Sequence, residues 1–285
     1  MNPAVSLYIV ATPLGNLEDM SPRACRVLGE VDVVAAEDTR HTRKLMQHFA
    51  INTTLVSLHE HNERERAGEL VGRMRAGETV ALVSDAGTPL VSDPGFHLVR
   101  LSLEAGLSVS PIPGPSAMIA ALSVAGLPSD RFCFEGFPPA RRGARREFFD
   151  SLRGENRTVV FYESPHRLLE SLHDLRESWG EARRITLARE LTKLYETVRQ
   201  DSLSGLCEWM EAHPEQVRGE CVLVVEGAAL ITAGEVFPEQ ARVMIRRLLS
   251  AGLSVRDCAE IAQEVFSLAR KPCYREALEL AGEKG

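Results

Sequence analysis

Three loops rich in glycine and proline constrain this chain more than any other feature: Thr12-Pro13-Leu14-Gly15-Asn16, Ser84-Asp85-Ala86-Gly87-Thr88-Pro89 and Pro113-Gly114-Pro115-Ser116-Ala117. Each stands where an apolar run ends and a helical pattern begins. In an open α/β sheet, ligands bind beyond the carboxyl ends of strands, so loops that follow successive strands converge on one crevice. Glycine lets the backbone approach a ligand closely, and proline fixes a loop's shape before anything binds. Turn formation alone explains any one of these loops. Three at equivalent strand ends are better explained by a site.

The pattern around the loops is strand alternating with helix. Apolar runs at Leu7 to Ala11, Val31 to Ala36, Thr54 to His59, Val80 to Asp85 and Ser108 to Ile112 are separated by helical segments such as Arg43 to Phe49 and Glu63 to Ala76. Such alternation predicts a mostly parallel sheet. The second half is strand-rich but less regular, with runs at Phe132 to Phe137, Thr158 to Tyr162, Arg184 to Ala188, Glu196 to Gln200 and Cys221 to Glu226. Strands that follow one another without an intervening helix predict a mixed sheet. A Gly-Leu-Pro-Ser-Asp segment at 126–130 and a small-residue linker after Gly227 suggest three units, 1–126, 127–228 and 229–285. The last is read as helical. Its helices near 255 and 272 suit a helix-turn-helix or equally a helical cap or dimerisation tail, because acids and bases are balanced there.

Length agrees with more than one domain, since 285 residues exceed the usual size of a single core. No apolar stretch approaches the roughly 20 residues that a membrane span needs. The first residues read as a strand rather than a leader, so a cytoplasmic location is expected. Six scattered cysteines without a Cys-x-x-Cys pair predict reduced thiols and no metal framework. A formal net charge of -7 argues against broad, nonspecific nucleic-acid binding, so any RNA contact must be local. Neither G-x-x-x-x-G-K-[ST] nor G-x-G-x-x-G follows a strand, which disfavours ordinary nucleotide folds.

Longer motifs carry a resemblance. Thr-Pro-Leu-Gly-Asn-Leu at 12–17, Ala-Glu-Asp-Thr-Arg-His-Thr at 36–42, Ser-Asp-Ala-Gly-Thr-Pro at 84–89, Pro-Gly-Pro-Ser-Ala at 113–117, Glu-Gly-Phe at 135–137, Phe-Tyr-Glu-Ser-Pro-His-Arg at 161–167 and Ala-Arg-Glu-Leu-Thr-Lys at 188–193 span most of the chain. Together they resemble the ribosomal RNA small subunit methyltransferase I family, of the tetrapyrrole-methylase type. Departures are slight: Leu14 and Met20 stand where isoleucine is common, and Arg218 where lysine is frequent. The resemblance implies two α/β domains with a cofactor cleft between them, a small helical C-terminal segment, S-adenosylmethionine as cofactor and a homodimer. It also implies methylation of the ribose 2'-hydroxyl of a cytidine in the decoding region of 16S rRNA, within the small subunit. A methyltransferase acting on a tetrapyrrole and a noncatalytic RNA-binding assembly protein are the alternatives.

On this reading the cofactor lies against Pro13, Leu14 and Gly15, against Asp85, Ala86, Gly87, Thr88 and Pro89, and against Pro113, Gly114, Pro115, Ser116 and Ala117. Tyr162 and Leu191 close it from the second domain. An activated methyl group leaves the protein to align donor and acceptor, with no metal or nucleophilic triad required. It must also take the hydroxyl proton. Asp38 and His59 are candidates for that base, with Arg40 and Glu163 positioning the RNA or the base. Asp38 is equally well read as a helix cap, and His59 with His61 as a hydrogen-bonded pair. Arg141, Arg142, Arg145 and Arg146, expected in a loop, and Arg270, Lys271 and Arg275 in the tail are expected to meet RNA phosphates. For the first group the alternative is a solvated helix face, with Glu147 and Asp150 as intrahelical partners.

Overall fold

The computed structural model describes residues 5–216, 219–229 and 237–282; Arg218 and most of the linker expected after Gly227 lie outside them. β1 (Leu7–Val10) leads through the first loop to α1 (Pro22–Glu30), where Ser21 accepts a cap bond from the Ala24 N–H at 3.1 Å. The alternation continues with β2 (Val33–Ala36), α2 (Thr39–His48), β3 (Thr54–Ser57), α3 (Glu63–Arg75), β4 (Val80–Val83), α4 (Phe96–Glu104) and β5 (Val109–Ile112). These strands pair in the order β3-β2-β4-β1-β5, all parallel. Val-Val-Ala-Ala in β2 and Val-Ala-Leu-Val in β4 are buried throughout, as strands covered on both faces must be. Leu28 and Met46 of α1 and α2 cover one face, and Leu70, Met74 and Leu98 of α3 and α4 the other.

From the adjacent strands β1 and β4 the chain leaves in opposite directions, to β2 on one side and β5 on the other. Such a switch point opens a crevice between the two loops that follow. The first and second of the proline-glycine loops are those two.

α5 (Ala117–Val124) follows the third loop, where the sequence predicts a helical pattern to begin. It buries Ala121 and Leu122 against Val160, Ala188, Val222 and Val224 of a second sheet, so it crosses from one half of the molecule to the other. That half contains β6 (Phe132–Phe134), α6 (Arg142–Leu152), β7 (Thr158–Glu163), α7 (Pro165–Trp179), β8 (Arg184–Arg189), β9 (Thr197–Ser202), α8 (Leu203–Ala212) and β10 (Cys221–Val225). The order is β6-β7-β10-β8-β9, parallel only between β6 and β7. Phe149, Leu168, Leu172 and Leu206 fill its other face. The last three helices, α9 (Glu239–Ser250), α10 (Val255–Phe266) and α11 (Arg270–Gly282), enclose a core of their own, with an Arg242–Glu276 ion pair joining first to third.

The arginines at 141–146 are not a basic loop. Arg141 precedes α6 and the others lie on its first turns, facing α7. Arg145 is 1 % exposed and pairs with Asp174 at 2.7 Å and Glu170 at 3.3 Å. Arg142 pairs with Asp174 and Glu177, and Arg146 with Glu177 at 2.9 Å. Their partners lie on α7, not at Glu147 and Asp150. A buried guanidinium must be paired, so Arg145 locks two helices together and is out of reach of a phosphate.

Candidate active site

The three loops are bonded to one another as well as neighbours in space. Thr12 and Gly87 exchange backbone hydrogen bonds at 2.9 and 3.0 Å, and the Thr12 hydroxyl donates to the Ser84 carbonyl. The Thr88 hydroxyl donates to the Pro115 carbonyl at 2.9 Å. Gly114 passes so near β1 that a Cβ there would stand 3.0 Å from that of Ala11. The Asp38 N–H donates to Asp85 Oδ1 at 3.0 Å, which ties the loop after β2 into the group. Tyr162 reaches across from the second sheet, its hydroxyl accepting from the Met118 N–H at 3.2 Å.

Between these parts lies a cavity of about 400 Å³, within the range of small-molecule sites. Its wall includes Leu14, Asp85, Ala86, Gly87, Thr88, Ser116, Ala117, Tyr162 and Glu163. A second hollow of about 450 Å³ adjoins it, sharing Leu14, Asp85, Ala86 and Glu220 and adding Pro13, Gly15, His41, Lys44 and Lys193. Pro89, Pro113, Gly114, Pro115 and Leu191 line neither. Pro115 and Gly114 buttress the wall from behind, and Leu191 packs in the apolar cluster that holds Tyr162.

Of the four residues expected to act on the proton or position the RNA, only Glu163 reaches the cavity. It is 1 % exposed and fully engaged, by Arg167 at 2.8 Å, the Ser164 N–H at 2.7 Å and the Ser171 hydroxyl. Asp38 caps α2 through the Arg40 N–H and grips the Arg40 guanidinium at 2.8 Å, which holds its carboxyl far below the usual range. A carboxylate so stabilised is a poor base. His59 donates its backbone N–H to Asn62, and its ring meets that of His61 edge-on, with centroids 5.9 Å apart. Among the described residues no group of three or more His, Cys, Asp or Glu is placed to hold a metal ion.

Besides the fully engaged Glu163, four carboxylates line the cavity: Glu37, Asp85, Asp93 and Glu220. Burial, with Glu37 beside it, pushes the Asp93 carboxyl up to about 6. Glu37 is raised too, by burial and then by Asp85. The Cys221 thiol in the same wall is pushed up by burial to about 12, so it is no nucleophile near neutrality. Backbone strain gathers at this place: among non-glycine residues, Leu90 and Ser92 have φ of 73° and 64°, and Glu190 and Thr192 in the loop carrying Lys193 have 51° and 66°. Each costs about 1–3 kcal/mol and persists where the surroundings enforce it, commonly at functional sites. Asp93 was visible in principle, because Ser92-Asp93-Pro94-Gly95 repeats the pattern of Ser84-Asp85-Ala86-Gly87 within one loop.

Residues 6–207 match the model of the tetrapyrrole (corrin/porphyrin) methylases. Two relatives named ribosomal RNA small subunit methyltransferase I are similar over almost the whole chain. That of Pseudomonas aeruginosa is 51 % identical over 98 % of this chain and 99 % of its own, and that of Escherichia coli O157:H7 is 49 % identical over 97 % and 96 %. The chain belongs to this family of methylases. Among solved structures, the uroporphyrin-III-C-methyltransferase of Thermus thermophilus covers 78 % of this chain and 94 % of its own, with a TM-score of 0.56 and 22 % identity, a likeness of fold. S-adenosylmethionine is the methyl donor. The cavity fits it: the four carboxylates suit a cationic sulfonium and ammonium, and the Phe137 and Tyr162 rings, 5.5 Å apart, offer apolar and π faces. No helix of the described residues is long and apolar enough to cross a membrane.

Proposed function

We propose that this chain methylates the ribose 2'-hydroxyl of a cytidine in the decoding region of 16S rRNA, acting on the small ribosomal subunit as a cytoplasmic homodimer. One observation carries the choice of RNA over a tetrapyrrole. The rRNA-named relatives match 97–98 % of the chain, whereas the Thermus enzyme covers 78 % and the family model ends at residue 207. The three-helix segment is therefore shared with the former group. Residues 1–126, 127–228 and 229–285 are its working units.

Bound S-adenosylmethionine supplies an activated methyl group, so the chain's own task is to align a hydroxyl and accept its proton. Asp93 is assigned that proton. Its carboxyl is ionised at neutral pH yet more basic than an ordinary aspartate, the compromise a general base needs. Burial keeps it so, and the charge of Glu37 adds to the effect. Tyr162 holds α5 against the second sheet and so fixes the width of the cavity.

Nucleoside mass mapping of small-subunit rRNA from cells with and without this protein tests the proposal. Loss of one 2'-O-methylcytidine in the decoding region is expected. Loss of a base methyl instead, or transfer of labelled methyl to uroporphyrinogen but not to subunits, would overturn it.

A further inference from the structure

We propose that the hollow beside the cofactor cavity is the dock for RNA phosphates flanking the target nucleotide, with α2 as its basic lip and Lys193 as its opposite wall. The inference rests on the RNA reading above. Its ground is the composition and placement of α2, whose ten residues contain Arg40, His41, Arg43, Lys44 and His48 and no acid, in a chain with a net charge of -7. Thr42, Leu45 and Met46 are its buried face. The basic side chains are what remains outside.

His41 and Lys44 are spaced three apart, so they share one side of the helix, and both line the hollow. Lys44 has no ion-pair partner among the described residues; nor has Arg43, which lines a neighbouring depression with Met46, Gln47 and Ile51 rather than the hollow itself. The contrast with α6 is direct, because its three arginines are consumed by the acids of α7. Lys193 enters from the second sheet, held by Glu190 at 2.9 Å and Glu220 at 3.4 Å. Burial works against its charge, but the bonds to Glu190 and the charge of Glu220 outweigh that and raise its pKa.

Arg40 is spent on Asp38 and Lys193 on Glu190 and Glu220, so the charge left for a phosphate in this hollow is that of Lys44, with Arg43 beside it on α2. Asp85 and Glu220 are the acids that the hollow shares with the cofactor cavity, so they stand at the junction. Beyond about 10 Å in physiological salt, the remaining negative charge of the chain is largely screened. A nucleotide held by its phosphates on α2 would have its ribose at that junction, beside Asp93 and the methyl donor.

The test uses the full chain and small ribosomal subunits from cells lacking it. For Arg43→Glu with Lys44→Glu, and for the milder Lys44→Gln, the expectation is an affinity for subunits lower by on the order of ten- to a hundredfold. The slope of log affinity against log salt should flatten by about one for each phosphate that the variant no longer neutralises. Calorimetric affinity for S-adenosylmethionine should stay as in the parent, which also reports a folded site, and Lys44→Arg should restore subunit binding. Parental subunit affinity and salt slope in folded Lys44→Gln and the double variant, while the parent methylates subunits, would overturn the dock alone. A parent that binds S-adenosylmethionine yet neither binds nor methylates subunits would overturn the RNA reading and the dock with it.

Discussion

The side chain of Lys193 lies directly over Gly15, so closely that a methyl group in place of the glycine hydrogen would overlap the lysine stem. Gly15 belongs to the loop after β1 and Lys193 to the loop between β8 and β9, so the two halves of the molecule touch at the wall of the hollow. The glycine is there for the close approach, since its φ is not in the left-handed region.

Gly15→Val should therefore push the lysine out of the hollow and narrow it, while the apolar cores stay intact. The expected outcome is a raised KM for subunits with little change in thermal stability, read from steady-state kinetics and a melting curve. A KM equal to the parent's would show that the contact between the halves plays no part in substrate binding.

Gly114 does not line the cavity, and its effect on the cofactor must pass through the wall. A valine there has nowhere to place its methyl groups, because Ala11 Cβ already stands 3.0 Å from the position of the first carbon. Overpacking of this kind costs about 1–3 kcal/mol and moves backbone. Because Pro115 is bonded to Thr88, the displaced loop drags the cavity wall with it. Calorimetry on a folded Gly114→Val variant should show weaker S-adenosylmethionine binding; unchanged affinity would mean that the loop is only scaffold.

The parallel sheet and its three loops were legible because period and punctuation agree: buried apolar runs such as Val80–Val83 end at glycine and proline, and the loops can only gather at the strand ends. The boundaries were less so. α2 starts at Thr39, four residues before the expected Arg43, because Asp38 caps it, and an Asp before a helix reads equally as a cap or as an acid. The chemistry of carboxylates was not legible at all. Asp38 and Asp93 have the same side chain. What separates them is Arg40 bonded to one and, for the other, burial first and then the charge of Glu37, which is remote in sequence. The α6 arginines misled for the same reason, since their partners on α7 lie some 30 positions away.

Arg145→Ala tests that correction. It would leave Asp174, 1 % exposed, as a buried carboxylate with only Arg142 to balance it. Removing one partner of a buried pair costs about 3–5 kcal/mol. The expected result is a large loss of unfolding free energy, measured with denaturant, with subunit affinity near the parent's at a temperature where the variant is folded. A stable variant that binds subunits poorly would return Arg145 to the RNA surface.

Asp93 makes opposite demands on stability and turnover, and one substitution separates them. Its carboxyl is raised to about 6 from an unfolded value near 4, so the folded state holds the proton more tightly than the unfolded chain does. The stability this confers is full below about pH 4 and is lost as pH rises through about 6. At neutral pH the ionised side chain, pressed against Glu37 and Asp85, is therefore a burden on the fold. Asp93→Asn removes the charge and keeps the shape, so it should raise the melting temperature at pH 7 and remove this carboxyl's share of the pH dependence, leaving that of Glu37, which burial also raises. The same change removes the base, with single-turnover methylation of subunits falling about a hundred- to ten-thousandfold. In the parent, the rate should rise with pH through about 6 and then level. Stability and rate moving together, or a parental rate in the asparagine variant, would place the proton acceptor elsewhere in the cleft.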